Sequence, residues 1–130
     1  IVVVLLGYPS IATVSVRSSC IRASGLDDPK LEKYAAYGRF GGVGCQAART
    51  ESSDFVHWSE PGLVIAPDER DGPNTRFCGI SVDLREGIYT GMLWMFWIEH
   101  TNVGRIDFQL CHSRDGKTWV RDPERIVFDL

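Results

Sequence analysis

Residues 112–119 read HSRDGKTW and residues 51–58 read ESSDFVHW. Both contain Ser-x-Asp-x-x-x-Trp: Ser52, Asp54 and Trp58 in one copy, Ser113, Asp115 and Trp119 in the other, each 61 residues from its counterpart. Such a pair is either an active-site motif used twice or a structural unit used twice. Asp115-Gly116 supplies the positive φ that tight hairpins need, so the second copy predicts a turn between two strands. An Asp there accepts backbone N–H groups of the turn, and the Trp packs between sheets. This structural reading outweighs a calcium or carbohydrate role for either copy.

Working outward, RIDFQL (105–110) alternates, which predicts Ile106, Phe108 and Leu110 inward and Arg105, Asp107 and Gln109 outward. IYTGMLWMFWI (88–98) is almost continuously apolar. Its length would allow a helix, but its β-branched and aromatic residues and the interior Gly91 favour a strand, buried on both faces. FCGISV (77–82) places Cys78, Ile80 and Val82 on one face at period two, and Glu86-Gly87 reads as a turn. The expected strands are 76–83, 88–98, 105–112 and 117–121, a consecutive antiparallel meander.

The first copy has similar surroundings. VGCQAART (43–50) takes the place of RIDFQLCH, and SEPGLVIAPD (59–68) matches VRDPERIVFD (120–129) in order. A recurring four-stranded meander is the sequence pattern of β-propeller blades. The spacing exceeds a usual blade by roughly 10–20 residues, which we assign to the loop at 66–75 and to Thr101–Gly104. In the first 40 residues, IVVVLL and ATVSV read as strands, and LDDPKLEKYAAYGRF as a loop or as one helical turn running into a strand.

The bulk properties exclude several classes. The 130 residues suit one domain, 44% hydrophobic and 24% charged. A formal net charge of -3 leaves no basic footprint for nucleic acid. The mixed charges from Arg121 to Arg125 read as a solvated turn. IVVVLLG is too short to span a membrane and reads as a buried strand. The start at Ile1 points to processing or a fragment. Cys20, Cys45, Cys78 and Cys111 show no C-x-x-C, which argues against zinc and for small buried apolar residues, with disulfides left open. His57, His100 and His112 are dispersed, G-x-S-x-G and P-loop motifs are missing, and Gly41, Gly42 and Gly44 lack a dinucleotide-site context. We expect no metal and no cofactor. The compartment, cytoplasmic or secreted, stays open.

SSDFVHWSEPGLVIAPDERD, GISV with EGIYTGMLWMFW, and FQLCHSRDGKTWVR together resemble the five-bladed β-propeller glycoside hydrolases of the family 43 and family 32 type: arabinosidases, xylosidases and fructosidases. The resemblance covers about residues 43–130 and rests on the repeated hairpin and on the Gly87-x-Tyr89 strand start. It implies an all-β chain of two to two and a half blades, one about 1–66 and the next about 67–130, and therefore part of a propeller.

The resemblance also implies that the hairpin turns lie opposite the face that holds a sugar pocket. That face would carry the loop APDERDGPNTR (66–76) and the loop after residue 98. Inverting glycosidases need a carboxylate base and a carboxylic acid about 6.5–9.5 Å apart. Two groups in one short loop rarely achieve this, so we expect at most one catalytic carboxylate among Asp68, Glu69 and Asp71, with Asp68 or Asp71 preferred. Asn74, Arg76, Glu99 and His100, with Asn102 and Arg105 nearby, are candidates for binding sugar hydroxyls, and Glu99 is also a candidate acid. The plainer readings are a charged surface loop and a polar rim. Tyr89, Trp94, Phe96 and Trp97 read as inter-blade core rather than a sugar-stacking platform. The expected function is glycosidic hydrolysis by paired carboxylates, completed outside this chain. The alternative is a carbohydrate-binding or structural propeller module without catalysis. The expected partner is an oligo- or polysaccharide, with no nucleic acid or membrane and with self-association through open sheet edges.

Overall fold

A computed structural model describes residues 2–4, 13–15, 23–28, 30–39, 46–100 and 103–128. The expectations for Cys20, Cys45, the glycines at 41–44 and Asn102 lie outside them. Among the described residues the chain is all-β and every strand pairing is antiparallel. Strands β1 (Val2–Val4) and β2 (Thr13–Ser15) form a small separate pair. Next come β3 (Ala23–Asp28), β4 (Lys33–Gly38), β5 (Ala47–Ser52) and β6 (Gly62–Ile65), hydrogen-bonded in that order. The second sheet runs β7 (Thr75–Arg85), β8 (Ile88–His100), β9 (Val103–Ser113) and β10 (Trp119–Arg121). A short β11 (Val127–Phe128) pairs farther along β9.

Both sheets are meanders, and the hairpins with Ser-x-Asp join their third and fourth strands as expected. Pairing repeats with the sequence. Val120 lies opposite His112, and at the corresponding place Ser59 N–H donates to the Glu51 carbonyl at 2.9 Å. Glu86 (φ 48°) and Gly87 (φ 78°) form the two-residue turn between β7 and β8, because positive φ at both positions matches the twist of the flanking strands. In the 26–40 stretch, a turn at 30–32 leads directly into β4, so the strand is realised there and not a helical turn.

Three expectations about sidedness are corrected. The alternation of β9 holds but is inverted, since Asp107 and Gln109 are buried with Cys111 against the first sheet, whereas Leu110 on the apolar side is 44% exposed. A bulge between Phe77 and Gly79 inserts Cys78 as the extra residue. Phe77 and Ile80 therefore share the buried face, Val82 packs against the same core as expected, and Cys78 alone drops out of the even-numbered alternation. Strand β8 is also not buried on both faces. Tyr89, Leu93 and Met95 are buried, whereas Ile88 and Met92 on the opposite face are exposed.

The two sheets pack through β7, which lies against β3, β4 and β5. Ala35, Tyr37, Ala47 and Ile65 of the first sheet meet Phe77, Ile80, Leu93, Met95 and Cys111 of the second. The small alanines admit the bulky partners, and each fully buried Leu, Phe or Met contributes roughly 1.5–3 kcal/mol. Trp119 packs beside this core. Its indole lies over Gly91, where a Cβ would come within 2.7 Å of the ring, and meets Tyr37 edge-on at 5.8 Å.

Candidate functional site

At the hairpin end the motif residues act on their own backbone. Asp115 Oδ1 accepts the N–H groups of Lys117 and Thr118 at 2.8 and 2.7 Å, and the Ser113 hydroxyl at 2.9 Å. Asp54 Oδ1 accepts Val56 and His57 N–H at 2.9 and 2.8 Å and the Ser52 hydroxyl at 3.1 Å. Each Trp indole N–H closes its turn by donating to a carbonyl, Trp119 to Gly116 and Trp58 to Phe55. The backbone donors of Thr118 and Lys117 hold the Asp115 carboxyl well below the usual range. His57 and the backbone do the same for Asp54, which in turn raises the His57 pKa.

This geometry predicts acid sensitivity. A carboxylate with depressed folded-state pKa contributes stability above its unfolded value, about 3.9, and loses it as pH falls further. The urea midpoint should therefore drop below about pH 4, and Asp115→Asn should flatten that drop. A midpoint whose pH profile is the same in Asp115→Asn contradicts this role. His57 acts in the opposite sense: its contribution is present below about pH 6.5 and fades as pH rises through its raised value.

Between the sheets, beneath the second hairpin, lies a buried polar cluster. Tyr89 Oη donates to Asp28 at 2.6 Å, and Arg49 Nη1 donates to Tyr37 Oη at 2.6 Å. Tyr37 Oη donates to the Gly116 carbonyl at 3.0 Å. Burial, then the hydrogen bond and charge of Asp28, push the Tyr89 phenol up to about 12. Lys30 Nζ donates to the carbonyls of Gly87 and Arg114, and Lys117 pairs with Glu51 at 3.1 Å. Every one of these links except the Arg49–Tyr37 bond crosses from one sheet to the other, so the cluster fixes their register.

At the opposite end lies the acidic loop. Asp71 is 5% exposed, and Arg121 grips both its oxygens at 2.5 Å. Asp71 Oδ2 also accepts the Asp68 N–H at 2.7 Å, and Arg125 stands 3.4 Å from Oδ1. Arg121 Nε donates to Gln109 Oε1 at 2.5 Å. Asp68 is half exposed and pairs with Arg125, whose hydrogen bond lowers its pKa. Glu69 is exposed. The Arg121–Arg125 segment is therefore not simply a solvated turn. Arg121 follows Trp119 at strand period two, so it points inward with that indole. This offset was the sequence signal for Arg121. Nothing local marked Arg125, Arg49 or Asp28.

The remaining candidates stand elsewhere. The Asn74 carbonyl accepts the Ile98 N–H at 3.0 Å, and Arg76 is exposed opposite Phe96. Glu99 and His100 are exposed at the end of β8. The β7–β8 pairing brings these four to one end of the second sheet. Asp68 and Asp71 are turned toward the segment after β10. A cleft of about 440 Å³ there is lined by Val64, Ile65, Asp68, Arg70, Arg121 and Arg125, among others. Asp68 is its lining carboxylate.

Comparison with protein families, with curated proteins and with solved structures finds no match to this chain.

The chemistry available follows from the pairing. A general acid needs a raised carboxyl pKa, and that of Asp68 is lowered. Asp71 has both oxygens engaged and little solvent access, so it lacks a free lone pair for a substrate proton. Cys111, its thiol pushed up to about 12 by burial, is no nucleophile.

Proposed function

We propose that this chain is a non-catalytic repeat module of the β-propeller kind, built to carry carbohydrate-binding or protein-binding surfaces rather than to hydrolyse glycosides. The observation that supports the reading is the Asp71–Arg121 pair. The acidic loop that best suited catalysis is spent on joining the strand that opens the second sheet to the strand that ends its meander. The recurrence of a meander with the same hairpin, packed face to face with its predecessor, supports the propeller part. Open strand edges, including that of β6, favour self-association.

A second reading is a glycosidase of the propeller type in which Asp68 serves as base or nucleophile and the acid comes from outside the chain. It is favoured by the half-exposed Asp68 carboxylate at the cleft. Under it, Asn74, Arg76, Glu99 and His100 bind sugar hydroxyls. Aryl-arabinoside, aryl-xyloside and fructoside hydrolysis, measured beside oligosaccharide binding by calorimetry, separates the two. The module reading expects no turnover, and any sugar binding should survive Asp68→Asn. Turnover that Asp68→Asn abolishes, with sugar binding intact, establishes the glycosidase.

A further inference from the structure

The first sheet buries one face against the second, and register shows which positions do so. Tyr34 lies opposite Ser52, and Tyr89 lies opposite Ser113, each pair joining a strand start to the motif Ser. Counting on from these pairs, the Tyr37–Arg49 pair of the first sheet corresponds to Met92–Leu110 of the second. The Ala47–Ile65 pair corresponds to Phe108–Phe128. In the first sheet these positions carry the contact with the second: Tyr37, Ala47 and Ile65 lie in the shared core, and Arg49 and Tyr37 sit against Gly116.

In the second sheet the same positions face outward. Met92 is 42% exposed, Leu110 44% and Phe128 49%. Trp94 and Phe108 stack edge-on beside them at 5.7 Å. Soluble proteins rarely leave contiguous apolar patches above a few hundred Å² uncovered.

We infer that this outer face of the second sheet is the docking surface for a third meander of the same repeat. The occupant presents an apolar strand face like that of Phe77, Ile80 and Leu93. The inference rests on the repeat-module reading and extends it to a partner. Continuity with the interface already formed carries it: one repeat position, covered by a following meander in the first sheet, is uncovered in the second. A second copy of this chain is a poor occupant, because its matching face is buried against its own first sheet. The corresponding residues also set the partner's chemistry. Tyr37 donates to the Gly116 carbonyl of the hairpin above it and accepts from Arg49, whereas Met92 and Leu110 offer no hydrogen bond. The partner therefore sets apolar side chains over Met92 and Leu110.

Met92 and Met95 make this measurable, since they are the chain's two methionines and Met95 is buried at 1% exposure. The full chain is extended after Leu130 by a second copy of residues 67–128 in which the methionine corresponding to Met92 is replaced by leucine. Peroxide oxidation is then followed by peptide mass. In the 130-residue chain Met92 should oxidise many-fold faster than Met95. In the extended chain Met92 should slow several-fold. Unchanged Met92 oxidation overturns the inference, and so does an added unit that stays unfolded while residues 1–130 fold. Concentration-dependent protection of Met92 in the unextended chain, relieved by Leu110→Lys, makes a second copy the occupant and also overturns it. None of these readouts depends on sugar turnover, so a glycosidase result leaves them interpretable.

Discussion

Asp71→Ala is expected to lower stability by about 3–5 kcal/mol, the usual cost of leaving one partner of a buried ion pair behind. The Arg121 side chain is 5% exposed and would keep Gln109 Oε1 and a distant Asp68 as its oxygen partners. Asp71 also accepts the Asp68 N–H, and the Asp71 carbonyl accepts the Thr75 hydroxyl, so the loop that leads into β7 loses its anchor. A urea titration followed by Trp fluorescence reads the change. Removing both charges distinguishes a structural pair from a catalytic one. Asp71→Leu with Arg121→Met should recover most of the loss, since apolar residues of similar volume often replace a buried pair without penalty. If Asp71→Ala leaves the midpoint unchanged, the carboxylate is not structural, and the catalytic reading of the loop regains its footing.

The strands of the second sheet were legible because their determinants are local. Alternation in 105–110, the Glu86-Gly87 turn and the Asp115-Gly116 turn each act over a few residues. The Cys78 bulge was not legible, since Cys78, Ile80 and Val82 already make a period-two set, and nothing local marks Cys78 as the extra residue that brings Phe77 onto the face of Ile80. The outward half of β8 misled for another reason. Met92, Trp94 and Phe96 are as apolar as a doubly buried strand requires, yet Met92 stands 42% exposed and the two rings are only partly buried. The candidate site was the least legible part. Asp68 and Asp71 were visible as carboxylates, but their state depends on Arg121 and Arg125, about 50 residues onward and brought near by the sheet. Asp28, Arg49 and Tyr89 are likewise a cluster only in three dimensions.

Gly116→Ala is the second large effect, expected to cost about 2–4 kcal/mol from two sources. Gly116 has φ 71°, a left-handed conformation that costs a residue with a Cβ about 1–2 kcal/mol. The new Cβ would also stand 2.5 Å from Tyr37 Oη and 3.1 Å from Tyr89 Cε1, and close against Arg49 Nη1. The Arg49 guanidinium is held by Asp28 and Glu51 and cannot swing away freely. Relief requires the hairpin to lift, which stretches the Tyr37–Gly116 hydrogen bond between the sheets. The first hairpin supplies the control. Phe55 occupies the corresponding place with φ 65°, but its ring lies edge-on against Tyr34 at 4.8 Å and Trp58 at 5.5 Å. Phe55→Gly relieves the backbone and loses these ring contacts, so its midpoint should move by less than about 1 kcal/mol. A Gly116→Ala cost no larger than the backbone share would mean that the hairpin is free of the first sheet. A cost well above it, with Phe55→Gly near neutral, identifies the second Ser-x-Asp-x-x-x-Trp turn as a clamp between two sheets. The motif is then one turn used in two ways, closing its own hairpin in the first copy and also locking a neighbouring sheet in the second.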